Sequence, residues 1–127
     1  MKKNLIAYEG DEFTIEWYHD AKGKSSALEY YQDLSQGQKI KLGYLFEMLG
    51  DTGKIKSEEK FRHEGDQIYA FKPIPDRFLC FFYHGGKVIV TNAFEKKQDK
   101  MPAKEKDKAL KLKADYMKRN KDGSYYE

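Results

Sequence analysis

The chain has 127 residues, of which 39% are hydrophobic, 15% aromatic and 35% charged, with a formal net charge of +3. This length fits a single domain over residues 1–127, and the aromatic content excludes a generally disordered chain. The longest apolar run, Phe78 to Tyr83, is far below the roughly 18 residues of a membrane span, and the start of the chain has no signal-peptide pattern, so a cytoplasmic protein is expected.

The first half of the chain predicts one strand followed by two helices. Phe13 to Tyr18 is rich in β-branched and aromatic residues, as strands are. A serine cap at Ser25 or Ser26 predicts a short helix over residues 27–34, and a second helix is predicted from Gln38 to Leu49. The apolar residues of this second helix recur at helical spacing and predict a core-facing stripe, namely Leu42, Leu45, Phe46 and Leu49.

A charged connector over residues 54–65 precedes a different pattern. Short aromatic runs separated by turns predict an antiparallel meander of three strands, 67–72, 77–84 and 87–94. Both alternating sets of the middle run are apolar, which predicts a central strand covered on both faces. Its one cysteine, Cys80, allows no internal disulfide and belongs to no zinc pattern.

Pro102 starts a predicted helix that ends near Arg119, and residues 120–127 are expected to form a frayed tail. The predicted core line of this helix consists of Ala103, Leu110, Ala114 and Met117. The element order predicts an α+β domain (β-α-α-β-β-β-α) with a small, mostly antiparallel four-stranded sheet. Two N-terminal helices would cover one face and leave the other partly open, where a nucleic acid could lie.

Charge is distributed unevenly along the chain. Residues 1–93 carry 13 basic and 14 acidic side chains, whereas residues 94–127 carry 11 basic and 7 acidic ones. A basic C-terminal segment suits contact with a polyanion such as RNA, or with an acidic protein partner. A lysine-rich helix face that is simply solvated is the alternative explanation.

Cations are expected to converge where the meander strands end. Lys96 and Lys97 leave the third strand, while Lys72 and Arg77 flank the turn between the first two. Such a cluster could stabilise a phosphorane while the 2'-hydroxyl of RNA acts as nucleophile, and a lysine crowded by other cations has a lowered pKa that helps it transfer protons. Pairing of Arg77 with a nearby carboxylate is the alternative.

Other chemistries have less support in the sequence. His63 and His84 are possible acid or base groups, but one lies in the charged connector and the other at a hairpin tip. The His19-Asp20 pair has no third ligand for a metal site. No glycine-rich phosphate loop or Gly-x-Ser-x-Gly elbow is present, so nucleotide hydrolysis and esterase activity are not expected.

The stretch from Ile68 to Pro102 resembles the RelE/ParE toxin superfamily, and most closely its HigB-like and phage-derived branch. The shared pattern is an arginine (Arg77), an aromatic-rich strand, a hairpin, a strand that ends Phe-x-Lys-Lys (residues 94–97) and a helix that starts with proline. The upstream strand and helix pair also fit. The resemblance therefore covers about residues 12–119.

This resemblance implies the toxin of a toxin-antitoxin pair that cleaves mRNA, usually in the ribosomal A site. A cognate antitoxin, often a helix-turn-helix protein, would hold it inactive. No metal or other cofactor is implied. The predicted catalytic residues are Arg77, Lys96, Lys97 and Lys72. The predicted RNA contacts are Lys100, Lys104 and Arg62.

A second interpretation is a non-catalytic phage or host accessory protein of the same fold that binds a protein or nucleic acid, including a gyrase-inhibitor type. Where the superfamily commonly has Glu-Leu-Arg, this chain has Ala70-Phe71-Lys72. An ammonium point charge then replaces a bidentate guanidinium, which favours the second interpretation.

Overall fold

The computed structural model describes residues 5–98 and 100–127. In this part of the chain, six strands and three helices follow one another. In chain order they are β1 (Ile6–Glu9), β2 (Thr14–Trp17), α1 (Ser26–Gln32), α2 (Gln36–Thr52), β3 (Phe61–His63), β4 (Tyr69–Phe71), β5 (Asp76–Tyr83), β6 (Lys87–Glu95) and α3 (Ala103–Lys121). The described helices include none that is long and apolar enough to cross a membrane.

All six strands form one mixed sheet in the order β1-β2-β6-β5-β4-β3. The β2–β6 pair is parallel, and the other four pairs are antiparallel. The α+β class and the meander are confirmed, but the prediction of four strands is wrong. The two additional strands are short edge strands, and one of them, β3, lies inside the charged connector, where three residues give too little alternation to detect.

Helices α1 and α2 cover one face of the sheet, called here the helix-pair face. Serine caps start both helices, because Ser25 accepts from the Leu28 N–H and Ser35 accepts from the Gln38 N–H, each at 3.2 Å. Gly53 ends α2 with a φ of 84°, a left-handed conformation that glycine adopts without strain. The predicted core stripe is confirmed, since all four side chains are buried: Leu42, Leu45, Phe46 and Leu49.

The opposite face, called here the α3 face, is covered by α3, so the prediction of a partly open face is wrong. Tyr116 and Ala109 of the helix are fully buried against strand residues such as Phe81 and Ile89. The predicted core line of this helix is also wrong, because Met117 is 42% exposed. The helix contains few large apolar residues, and the aromatic ring of Tyr116 determines which side faces the sheet.

The C-terminal tail returns to the α3 face. Tyr125 is 1% exposed, and its hydroxyl accepts a hydrogen bond from the His19 N–H at 3.1 Å. Its ring meets the Tyr116 ring edge-on at 4.5 Å, and the Arg119 guanidinium lies 4.7 Å from its centroid. The expected fraying of residues 120–127 is therefore wrong at Tyr125.

Because Tyr125 is buried among aromatic rings, we expect Tyr125→Ala to lower the free energy of unfolding by roughly 3 kcal/mol. The matched control is Met117→Ala, which removes an exposed side chain and should change the free energy of unfolding by about 0.5 kcal/mol or less. Urea unfolding followed by circular dichroism measures both. Equal stability of the two variants would contradict the packed tail.

Candidate functional site

Arg77 lies near the start of β5, on the α3 face of the sheet. It pairs with Phe94 of β6, and it shares its face with Leu79, two residues further along the strand. The residue is only 8% exposed. A guanidinium is rarely buried to this degree unless a partner satisfies its N–H groups.

Much of the hydrogen-bonding capacity of Arg77 is unused. Its Nη1 donates to the backbone oxygen of Asp76 at 2.9 Å, whereas its buried Nε has no hydrogen-bond partner among the described residues. The Asp76 carboxylate points to the helix-pair face, where it accepts from the Tyr30 hydroxyl and from Gln38 Nε2. In the described part of the chain, no carboxylate forms an ion pair with Arg77.

Three further cations lie on the same face of the sheet as Arg77. The backbone N–H of Lys72 donates to the backbone oxygen of Lys60 at 2.8 Å, so the β3–β4 pairing continues one residue beyond β4. Extending the β4–β5 register by the same residue sets Lys72 opposite Arg77. Arg62 of β3 pairs with Ala70 on the same face. Burial lowers the pKa of Lys72, and the charges of Arg77, Arg62 and Lys96 lower it further. We call Arg62, Lys72, Arg77 and Lys96 the cationic cluster.

A β-bulge determines the face on which Lys96 lies. Asn92 pairs with Leu79, but the next pair is Val90 with Cys80, so Thr91 is an extra residue. Val88 and Val90 therefore face the helix pair, whereas Phe94 faces α3. The Lys96 N–H donates to Pro75 at 2.9 Å, which extends the pairing and places Lys96 on the Phe94 side.

In a regular strand Val88, Val90 and Phe94 would share one face with Lys96, and this alternation predicts that Lys96 rather than Lys97 lies on the Arg77 side. Lys96 does lie on that side, but the reason is wrong, because Val88 and Val90 face the helix pair. The extra residue at Thr91 reverses the alternation.

One acidic residue near the cluster, Glu64, is not among the residues that the sequence predicts for the site. Glu64 follows β3, and its negative charge raises the pKa of both Lys72 and Arg77 against the lowering effect of burial. The turn after it has three positive φ angles, at Gly65, Asp66 and Gln67. Lys106 of α3 pairs with Asp66 at 2.9 Å and holds this turn against the helix. A carboxylate one residue beyond a three-residue strand carries no sequence signal of its own.

The remaining predicted residues lie outside the cationic cluster. Lys97, Lys100 and Lys104 are exposed, and among the described residues their side chains form no hydrogen bond or ion pair. Of the two histidines considered, His63 packs against the Tyr69 ring at 4.8 Å and His84 against the Tyr83 ring at 4.1 Å. Neither is part of the cluster.

A separate cavity of about 530 Å³ lies between the loop after β2 and the C-terminal tail. Two of the polar side chains that line it are paired within the protein: Arg119 donates to Asp115 at 2.9 Å, and the Tyr126 hydroxyl donates to Glu16 at 2.9 Å. These contacts hold the tail and α3 in place, so the cavity wall is explained by packing within the fold. The cationic cluster is the better candidate because it combines four cations on one face of the sheet, and the buried Nε of Arg77 has no hydrogen-bond partner among the described residues.

Comparison with protein-family models assigns the chain to a family. The family model described as "Phage derived protein Gp49-like (DUF891)" matches residues 29–114. The chain belongs to this family. Gp49-like proteins are part of the RelE/ParE-like toxin superfamily, so the broad resemblance is confirmed. A search of curated proteins finds no match.

The Gp49-like match extends from α1 into α3 and includes the whole cationic cluster. It begins after β1 and β2, so those two strands lie outside the matched region. The family is phage-derived and commonly toxin-like. A Gp49-like protein with a buried, incompletely paired arginine beside three other cations has a site suited to phosphate.

Proposed function

We propose that this protein is the toxin of a type II toxin-antitoxin system and a ribosome-dependent mRNA endonuclease of the HigB-like type. The observation that carries the proposal is Arg77, which is 8% exposed and has a buried Nε without a partner among the described residues. A phosphate oxygen would supply the missing acceptor. The planar guanidinium can contact two phosphate oxygens at once.

The proposed reaction is attack of the 2'-hydroxyl on the adjacent phosphorus. Glu64 takes the proton of the 2'-hydroxyl, and Arg77 and Lys96 stabilise the charge that develops on the phosphorane. Lys72 gives a proton to the departing 5'-oxygen. The products are a 2',3'-cyclic phosphate and a 5'-hydroxyl, and the reaction uses no metal or cofactor.

The exposed cations around the cluster are proposed to bind RNA on either side of the scissile phosphate. They are Lys97, Lys100 and Lys104, joined by Arg62 of the cluster itself, and all four are exposed. Contacts of this kind position the backbone without reading sequence. The proposed partners are ribosome-bound mRNA and an antitoxin with a helix-turn-helix, and the proposed location is the cytoplasm.

A non-catalytic accessory protein that binds a protein or nucleic acid is the second candidate. It is favoured by Lys72, whose Nζ already donates to the backbone oxygen of Glu58 at 2.9 Å. A lysine held by the protein in this way could bind a phosphate without transferring a proton.

Induced expression in a bacterial host separates the two candidates. The endonuclease predicts growth arrest together with new 5' ends inside translated mRNAs, and it predicts that untranslated transcripts stay intact. Growth arrest with intact mRNA would favour the accessory protein.

The low pKa of Lys72 predicts a pH dependence. A proton donor must be protonated, so the cleavage rate should fall as pH rises through the pKa of Lys72, which is below its ordinary value of 10.5. Lys72→Arg should remove this alkaline fall, because arginine keeps its proton. Single-turnover cleavage between pH 7 and pH 10 measures both. An identical alkaline fall in the variant would contradict the role of Lys72.

A further inference from the structure

The bulge in β6 contains two polar residues that are fully buried. Thr91 and Asn92 are both 0% exposed, in a strand whose other buried positions are apolar. Buried polar side chains reduce stability unless their hydrogen bonds are satisfied. Their contacts therefore show what this pair of residues does.

Hydrogen bonds connect this bulge to the first turn of α3. The Thr91 hydroxyl lies 2.7 Å from Asn92 Oδ1 and 3.2 Å from the backbone oxygen of Leu79. Asn92 Nδ2 donates to the backbone oxygen of Glu105 at 3.2 Å and to its Oε1 at 3.1 Å. One buried amide thus holds both the backbone and the side chain of Glu105.

These bonds join the two ends of the segment over residues 93–104. This segment contains Lys96, which belongs to the cationic cluster, and it ends where α3 begins. Fixing the chain on both sides of Lys96 limits the positions that Lys96 can take. The bulge also sets the face of Phe94, the residue opposite Arg77.

We infer that Asn92 is a positioning residue: through its bonds to Glu105 it fixes the segment that carries Lys96 beside Arg77. This inference rests on the proposed endonuclease function and names the groups that hold its site in place. Neither Asn92 nor Glu105 is assigned a contact with RNA. Both act through the placement of Lys96.

Two variants of Glu105 test the inference without disturbing the buried strand. Glu105→Ala removes one acceptor of Asn92 Nδ2, whereas Glu105→Gln keeps an oxygen at that position. We expect the maximal cleavage rate of Glu105→Ala to fall about 10- to 100-fold, as for other residues that orient a reacting group, and Glu105→Gln to stay within about threefold of wild type. The protein concentration at half-maximal rate should change little in either variant.

Asn92→Ala provides the second measurement. Its cleavage rate should fall at least as far as that of Glu105→Ala, and combining the two substitutions should cost less than the product of their separate effects. Asp107→Ala is the control, because it removes an exposed acidic residue of the same helix. Hydrogen exchange should show faster exchange in residues 103–107 of Asn92→Ala, and unchanged exchange in β5.

Each result separates this inference from the proposed function. If the wild type cleaves no RNA, the endonuclease proposal fails and the inference fails with it. If the wild type cleaves and Glu105→Ala keeps the full rate, only the inference is overturned. Equal losses in Glu105→Ala and Glu105→Gln would overturn it too, because glutamine preserves the acceptor. Should Asn92→Ala fail to fold, the two Glu105 variants still decide.

Discussion

Arg77→Ala is expected to reduce RNA cleavage by about 100- to 1000-fold, and growth arrest should disappear with it. This is the usual cost of removing one preorganised group that stabilises developing charge. Arg77 is the most buried of the four cations in the cluster, and its Nε, which no described residue accepts from, is available to a phosphate oxygen. A single-turnover assay with ribosome-bound mRNA measures the effect.

The fold must survive this substitution for the result to bear on function. Arg77→Met preserves most of the volume, and the protein loses only one hydrogen bond, to the Asp76 backbone. The four cations of the cluster repel one another, so removing the charge of Arg77 should also offset part of any loss in stability. Unchanged antitoxin binding and an unchanged circular dichroism spectrum are the controls. If the folded Arg77→Met protein still arrested growth completely, Arg77 would have a purely structural role.

Lys96→Ala is expected to reduce cleavage by about 100-fold, whereas Lys97→Ala should reduce it about threefold or less. The two lysines are adjacent in sequence, so each serves as the matched control for the other. Lys96 continues the strand pairing on the Arg77 side, and its charge acts on Lys72. Lys97 is exposed beyond the end of β6.

The same pair of variants tests whether the bulge determines the face of the sheet on which the catalytic lysine lies. If Lys97→Ala abolished cleavage while Lys96→Ala left it intact, the catalytic lysine would be on the other side of the strand. Equal tenfold effects would mean that both lysines act as general phosphate contacts. Either outcome would contradict the assignment of Lys96 to the site.

The fold was predictable where periodicity was strong. The stripe of α2, from Leu42 to Leu49, covers two helical turns, and its burial follows from spacing alone. Elements of three or four residues, such as β1 and β3, carry too few alternations to be recognised. The parallel pairing of β2 with β6 depends on contacts between residues more than 70 positions apart, which local patterns do not encode.

The face of α3 was mispredicted for a different physical reason. Its large apolar residues are few, and a buried tyrosine, Tyr116, outweighs the predicted line of Ala103, Leu110, Ala114 and Met117. Tyrosine carries a large apolar ring as well as a hydroxyl, so its position in a helix does not reveal which side is buried. Tyr125 in the tail was missed for the same reason.

Parts of the candidate site were accessible from sequence. Lys72 and Arg77 flank a turn and Lys96 and Lys97 end a strand, which predicts that these cations converge; the structure brings all but Lys97 together. Glu64 could not be found, since only the pairing of β3 with β4 carries it to the site. The bulge at Thr91 was also hidden, because an extra residue in a strand leaves no pattern in a single sequence.

The central claim is that the cationic cluster promotes attack by the substrate's own 2'-hydroxyl. The most direct test gives purified protein two ribosome-bound mRNAs that are identical except for one 2'-deoxynucleotide on the 5' side of the cleaved bond. We predict cleavage of the all-ribose mRNA to fragments with a 2',3'-cyclic phosphate and a 5'-hydroxyl, and no cleavage at the substituted position. Cleavage of both mRNAs at equal rates, or of neither by a folded protein in excess over ribosomes, would contradict the account.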